Sequence, residues 1–474
     1  MKPTAIYYVL LLTAFALGIF AVLRAGNHLT APAAIQGAGG LPAQAPMSNH
    51  AEAAPTSISQ PTHGLVHDPL RRLLLQLLVI IATSRLVGRA FSLCGQPSVV
   101  GEMAAGILLG PSLFGVIWPE GFRFVFPNES FATLKLLSQL GVCLFMFAVG
   151  MELEMAHLRN QARRALVVST ASIIVPYFLG VVLAWFLYSH LAAPGATFTA
   201  FALFMGISMS ITAFPVLARI LQERRLTKTS LGSTAITCAA VGDASAWSIL
   251  AFVVATARAT SLGTAAITFG LVMVFIALML LVVRPALPRL LGATLPDAEP
   301  SKSVLAGVIC IVVTSALVTE LIGIHGLFGA FLAGAIMPET GGFRHKLGLR
   351  IENFSSVFLL PLFFVFTGLR TQLGLLNDLQ GWLVCLLIIA VASAGKLGGT
   401  ALAARLTGMD WRDALQLGAL MNTRGLMELI ALNIGFDLGI LSPRIFTMLV
   451  IMALATTVLT GPLLNLFRPN LRFD

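Results

Sequence analysis

The chain has 474 residues, 57% of them hydrophobic and 11% charged. Soluble domains carry about 25% charged residues, so this chain is not built to be wetted on all sides. Its formal net charge of +10 does not point to nucleic acid, because Lys and Arg are dispersed in short loops between apolar runs, as membrane topology requires.

The first segment, Ala5 to Leu23, follows Lys2 and is wholly apolar. Residues 1–26 read as a cleaved signal peptide or an uncleaved anchor helix, and the length of the apolar part favours the anchor. Residues 27–68 are rich in Ala, Pro, Gly, Gln and Ser and poor in aromatics. That composition cannot build a core, so the segment is expected to be a flexible extracytoplasmic linker.

From residue 69 to 468 the chain reads as one transmembrane domain. Apolar runs of about 20 residues, the length that crosses a bilayer as a helix, recur throughout it. Thirteen spans are expected near 70–90, 97–117, 134–153, 165–190, 198–221, 230–257, 263–284, 303–323, 326–338, 354–372, 382–406, 413–434 and 444–467. The ninth is short. Basic residues cluster after the odd-numbered spans, as in Arg159, Arg163 and Arg164, in Arg219, Arg224, Arg225 and Lys228, and in Arg344, Lys346 and Arg350. The positive-inside rule puts those loops and the C-terminus in the cytoplasm, and the protein is expected in the inner (plasma) membrane. Arg71 and Arg72 run against this orientation.

The two halves resemble each other. Gly101 to Gly106, followed by Pro111, matches Gly329 to Gly334, followed by Pro338. Phe145 to Gly150 matches Phe363 to Gly368, and Pro176 to Gly180 lies over Ala394 to Gly398. Seven steps, an odd number, lead from span 2 to its match, span 9, so equivalent spans run in opposite directions. Inverted repeats of this kind belong to secondary transporters, whose site lies near the midplane between the halves.

An ionisable side chain deep in a span costs several kcal/mol, so each one needs a reason. Asp243 lies midway along the sixth span, in Ala239-Ala-Val-Gly-Asp-Ala-Ser-Ala-Trp247. Such a carboxylate holds a proton or a monovalent cation but not both, which suffices for exchange; a fixed buried ion pair is the plainer reading. Lys396, in span 11, has Phe178 as its repeat equivalent. The scaffold is duplicated and the charge is not, which marks Lys396 as a counter-charge for Asp243 or for the empty site. A lysine snorkelling to the interface is the alternative.

Two spans look broken. Span 5 carries Ser208-Met-Ser-Ile-Thr-Ala-Phe-Pro215, and Pro215 disrupts the preceding helical turn. Freed carbonyls with the hydroxyls of Ser210 and Thr212 are candidate ligands; a re-satisfied proline kink is the alternative. Span 12 carries Asn422-Thr-Arg-Gly-Leu-Met-Glu428, where Asn422, Thr423 and Gly425 are poor mid-helix choices. Arg424 and Glu428 are four apart on one face and either neutralise each other or support the core. Glu102 is expected to pair with Arg85 or Arg89 and to be structural. The five cysteines, Cys94, Cys143, Cys238, Cys310 and Cys385, lack metal or redox spacing and read as apolar packing. With no nucleophile–base pair or ligand cluster, neither an enzyme nor a cofactor is expected.

Gly95-Gln-Pro-Ser-Val-Val-Gly-Glu-Met-Ala-Ala-Gly-Ile-Leu-Leu-Gly-Pro-Ser112 resembles the opening signature of the monovalent cation:proton antiporter-2 family. That family takes in bacterial sodium/proton antiporters, Kef-type potassium efflux systems and plant cation/proton exchangers. Asn422 to Asn433 is most similar to the plant exchanger branch, and Gly395-Lys396 is similar to the family's lysine on span 11. The resemblance, over residues 70 to 467, implies an all-α polytopic fold of about thirteen transmembrane helices. Spans 5 and 12 would be its two crossed, broken helices. Spans 4, 5, 6, 11, 12 and 13 would form an ion-carrying core that slides against a scaffold of spans 1, 2, 3, 8, 9 and 10, usually in a homodimer. It implies exchange of Na+ or K+ for H+, with Asp243 as the transient cation and proton seat. Thr212 and Ser210 would stand beside it, Lys396 would balance charge, and Asn422, Arg424 and Glu428 would support the core. A Kef-like efflux route without strict proton coupling is the alternative. Gly242 departs from the family, which places an acidic or amide residue directly before the essential aspartate, so stoichiometry is left open. The nucleotide-binding domain of Kef-type systems is not expected after span 13.

Overall fold

The computed structural model describes residues 3–32, 69–152, 158–227, 229–258, 262–290, 302–338 and 342–467. Most of the expected 27–68 linker lies outside the described residues.

In chain order the helices are α1 (Pro3–Gly26), α2 (Pro69–Leu93), α3 (Ser98–Leu109), the short α4 (Phe114–Ile117) and α5 (Pro119–Val125), α6 (Phe131–Glu152) and α7 (Leu158–Leu191). There follow α8 (Phe198–Ser210), α9 (Phe214–Glu223), α10 (Ser230–Arg258), α11 (Leu262–Leu278), α12 (Arg284–Leu290), α13 (Lys302–Ile322) and α14 (Gly326–Ala335). The last are α15 (Phe343–Phe354), α16 (Leu360–Arg370), α17 (Leu379–Leu406), α18 (Trp411–Met421), α19 (Leu426–Asp437) and α20 (Pro443–Phe467). Single π-helical turns, Met279–Val283 and Ser355–Leu359, join α11 to α12 and α15 to α16.

Among the described residues, 11 helical runs are long and apolar enough to cross a membrane. Two expected spans take another form. The ninth is the 10-residue α14. The twelfth is divided into α18 and α19 around Asn422–Gly425. Span 5 is divided likewise, into α8 and α9, at Ile211–Ala213. Pro215 sits in the first turn of α9, where its missing N–H costs nothing, so it starts the second half-helix rather than kinking one helix.

Leu78, Leu281 and Leu321 each expose two thirds or more of their surface, as lipid-facing side chains do. Cys94 and Cys310 are also exposed, and Cys238 and Cys385 are buried, so the packing role expected for the cysteines holds for the latter two.

The helices pack in two groups. One contains α2, α3, α6, α13, α14 and α16; the other contains α7, α8, α9, α10, α17, α18 and α20. Small residues set the closest approaches, as is usual between helices that gain nothing from leaving lipid. A Cβ on Gly106 of α3 would lie 2.1 Å from Phe364 O of α16, and one on Gly368 would lie 2.0 Å from Gly106. The matching pair, α14 and α6, meets the same way: a Cβ on Gly334 would lie 2.0 Å from Phe147 O, and one on Gly150 would lie 2.2 Å from Phe331 O. The segments that resemble each other in sequence therefore make the same contacts with partners exchanged. In the second group, α7 meets its counterpart α17 directly, with Gly395 against Pro176.

The N-terminal helix packs on α7 and α8. Phe15 meets the Phe178 ring edge-on at 5.3 Å, and Thr199 Oγ1 donates to Asn27 Oδ1 at 3.1 Å. Phe178, the repeat equivalent of Lys396, thus serves this contact.

Candidate functional site

The two interrupted helices meet at their breaks. Thr212 Oγ1 donates to Met421 O at 3.0 Å, and the Ala213 amide donates to Thr423 O at 3.0 Å. Each break leaves a half-helix C-terminus with unsatisfied carbonyls and a partial negative charge. Two buried cations cover those of α8. Arg424, fully buried, donates to Ser208 O, to Met209 O at 2.5 Å and to Glu428 Oε2 at 2.8 Å. Lys396, also fully buried, donates to Ser210 O and, at 2.9 Å, to Ser172 O of α7.

This changes one expectation. The carbonyls freed in span 5 were expected to face a cation. Those of Ser208, Met209 and Ser210 are held instead by the side chains of Arg424 and Lys396. The physical reason is proximity: a guanidinium and an ammonium buried in hydrocarbon need acceptors, and the end of α8 supplies them. Lys396 is therefore not a snorkelling lysine. Arg424 and Glu428 do pair, as one expectation had it, and Arg424 also ties α19 to α8.

Asp243 lies near the middle of α10 and is 2% exposed. Lys396, Arg424, Glu428 and Asp243 are near enough to interact electrostatically as one group. Ser210 Oγ donates to Ile207 O at 3.1 Å, so both hydroxyls expected as ligands, those of Ser210 and Thr212, have their protons engaged and keep lone pairs. Asn422 Nδ2 reaches Ser393 Oγ at 3.5 Å. The sequence-predicted residues are thus gathered around the two breaks.

Other buried oxygens on these helices stand out. Among the described residues, the hydroxyls of Ser169, Ser172, Ser208 and Thr400, Asn422 Oδ1 and Glu428 Oε1 are buried without a hydrogen-bond partner. A buried polar atom left unsatisfied costs about 1–3 kcal/mol, so a cluster of them fits a place that water or an alkali cation visits. The serines of α7 were missed in the sequence reading; the available signal was Ser169-Thr-Ala-Ser172 inside an otherwise apolar span.

A second polar group lies at the far end of α19. Asp437 accepts from Arg370 Nη2 at 2.6 Å and pairs with Lys135 Nζ at 3.2 Å, while Asn433 Oδ1 accepts from Arg370 Nη1 at 2.8 Å. Beside it is a cavity of about 300 Å³ lined by Lys135, Gln139, Arg258, Glu320, His325 and Asp437. Asp243 is not among its lining residues. Glu102 pairs with Arg85 at 3.7 Å, as expected.

Buried charges of both signs at the crossing of two interrupted membrane helices define the class: an ion-translocating transporter. The chain belongs to the sodium/hydrogen exchanger family, whose transmembrane domain matches residues 77–467. It is similar to the Na(+)/H(+) antiporter NhaS4 of Synechocystis, with 44% identity over 84% of this chain and 97% of that one. It is 38% identical to Cation/H(+) antiporter 17 of Arabidopsis thaliana over 88% of this chain and 51% of that protein. With K(+)/H(+) antiporter 1 of Saccharomyces cerevisiae it shares 34% identity over 86% of this chain and 48% of that one. The chain therefore spans about half the length of the plant and yeast relatives. The fold is like that of the sodium proton antiporter MjNhaP1 from Methanocaldococcus jannaschii, with a TM-score of 0.59 over 84% of this chain and 96% of that one at 16% identity.

Proposed function

We propose that this chain exchanges a monovalent cation, Na+ or K+, for H+, and that Asp243 is the seat for which the two compete. The observation that carries this is the balance of buried charge. Asp243, Glu428, Lys396 and Arg424 are all 2% exposed or less, and when all four are ionised their charges sum to zero. With Asp243 protonated the group instead carries one net positive charge, and an alkali cation added to it would make two, at a cost of several kcal/mol in a low-dielectric interior. If the Asp243 proton leaves as the cation arrives, the net charge stays as it was, so proton and cation compete for the same carboxyl. Thr212 and Ser210 offer oxygen lone pairs beside the break, and Lys396, which holds the Ser210 carbonyl, balances charge when the site is empty. Asn422, Arg424 and Glu428 fix the second break.

Several further points belong to the same proposal. The exchanged glycine contacts of α3 with α16 and α14 with α6 support an inverted repeat of thirteen spans, with α14 and the α18/α19 pair completing the count. The group holding Asp243 would carry the ion past the α2, α3, α6, α13, α14, α16 scaffold, with the Asp437 clamp closing the outer side. The basic loops support an orientation with the end of α20 in the cytoplasm, in what we take to be the inner membrane. The packing of α1 on α7 and α8 supports an anchor that stays on the protein. A homodimer follows from the family resemblance.

Exchange in proteoliposomes containing a pH-sensitive dye tests the reading. Added Na+ or K+ should drive proton counterflow, and the apparent KM for the cation should fall as pH rises, because protons vacate the shared seat. Cation flux without proton counterflow would favour the efflux-route alternative.

A further inference from the structure

We infer that Ser169 and Ser172 of α7 form a third wall of the ion seat, with the Ser169 hydroxyl serving as an oxygen ligand for the alkali cation beside Asp243. This rests on the exchange reading above and adds residues that it does not use.

The register of α7 against α10 carries the argument. Cys238 Sγ donates to Ala165 O at 3.8 Å. One turn further along both helices, a Cβ built on Gly242 would meet the Ser169 hydroxyl at 3.4 Å and nothing else within 4 Å. Position 242 thus leaves room for a methyl group, with a hydroxyl as its near wall, and Asp243 is the next residue on the same helix. Another turn along α7, Ser172 presents its carbonyl to Lys396 Nζ at 2.9 Å. The face of α7 bearing Ser169 and Ser172 therefore lies between the helix of Asp243 and the helix of Lys396.

Both serines are fully buried, and neither hydroxyl has a hydrogen-bond partner. That is unusual for a helical hydroxyl, which ordinarily bonds back to the carbonyl three or four residues earlier. Ser138, Thr367, Thr456 and Thr460 of this chain do so, at 2.8, 2.9, 2.9 and 3.1 Å. Leaving two hydroxyls unsatisfied in hydrocarbon is a cost that a visiting cation or its water would remove. Alkali cations are hard and take oxygen ligands, hydroxyls among them, which suits the chemistry of this wall.

The test compares cation-driven proton exchange for wild type, Ser169→Ala, Gly242→Ala and the double variant Ser169→Ala/Gly242→Ser, with Na+ and K+ titrated separately. Ser169→Ala should raise the apparent KM for the cation by about three- to tenfold, the loss expected for one neutral oxygen contact, with a smaller effect on Vmax. Gly242→Ala, which sets a methyl against the same hydroxyl, should raise KM in the same direction. The double variant moves the hydroxyl from α7 to α10 across the same gap and should bring KM back to within about twofold of wild type. A purely structural serine would not be rescued by that exchange. Unchanged KM in both single variants overturns the inference, as does a raised KM that the double variant leaves raised. The underlying exchange reading fails on a different result, cation-driven proton flux that survives in Asp243→Asn.

Discussion

Replacing Arg424 should damage the protein more than removing Arg424 and Glu428 together. Arg424 is fully buried, pairs with Glu428 Oε2 at 2.8 Å and holds the carbonyls of Ser208 and Met209 at the end of α8. Arg424→Met keeps the bulk and removes the charge. It strands the Glu428 carboxylate, which is also fully buried, and uncovers both carbonyls. Breaking a buried pair from one side costs about 3–5 kcal/mol, most of it the penalty of the abandoned charge. In Arg424→Met/Glu428→Met no charge is stranded, and what remains is the uncovered carbonyls, at about 1–3 kcal/mol. Fluorescence-detected size-exclusion chromatography after heating of detergent-purified protein orders the three proteins by melting temperature. The expected order is wild type, then the double variant, then Arg424→Met. A double variant melting below the single one, or Arg424→Met melting with wild type, would refute the reasoning.

Three further expectations follow from other parts of the molecule. Asp437→Asn removes the charge that Arg370 and Lys135 share; labelling of Gln139→Cys by a membrane-impermeant thiol reagent should speed up, and an unchanged rate would speak against a clamp there. Gly368→Val should abolish a monodisperse folded protein, since its Cβ would sit 2.0 Å from the α3 backbone, whereas Gly270→Ala, with nothing within 4 Å, should behave as wild type. At the N-terminal end of α17, the hydrogen bond from Arg444 holds the Asp378 carboxyl below its usual value. A lowered carboxyl pKa gives stability that is present above the unfolded value and lost as pH falls through the folded one. The difference in melting temperature between wild type and Asp378→Asn should therefore hold from neutral pH down to about pH 4 and vanish below it. A difference that already fades above about pH 5 would contradict this assignment.

Much of the fold was legible because membrane helices declare themselves by length and apolarity, and because charge in hydrocarbon demands explanation. Asp243, Lys396, Arg424 and Glu428 were found in this way, and Pro215 and Asn422 marked the two interruptions. What the sequence could not reveal is which acceptor each buried cation takes. That depends on how α8 lies against α17 and α19, so the capture of the Ser208, Met209 and Ser210 carbonyls appeared with the tertiary structure. The Asp437 clamp joins residues on α6, α16 and α19, which are far apart in the chain and polar enough to pass for ordinary loop-end charges. Ser169 and Ser172 were overlooked because a serine in a membrane helix usually bonds to its own backbone, and nothing local tells the exceptions apart.

The central claim is that one carboxyl group is shared in turn by a proton and a metal cation. Asp243→Asn keeps the shape and removes the ability to alternate. Reconstituted at wild-type density, with a pH-sensitive dye inside and Na+ or K+ added outside, this variant should give no cation-dependent proton movement while the wild type gives a rapid signal. Wild-type signal from the asparagine variant would contradict the account.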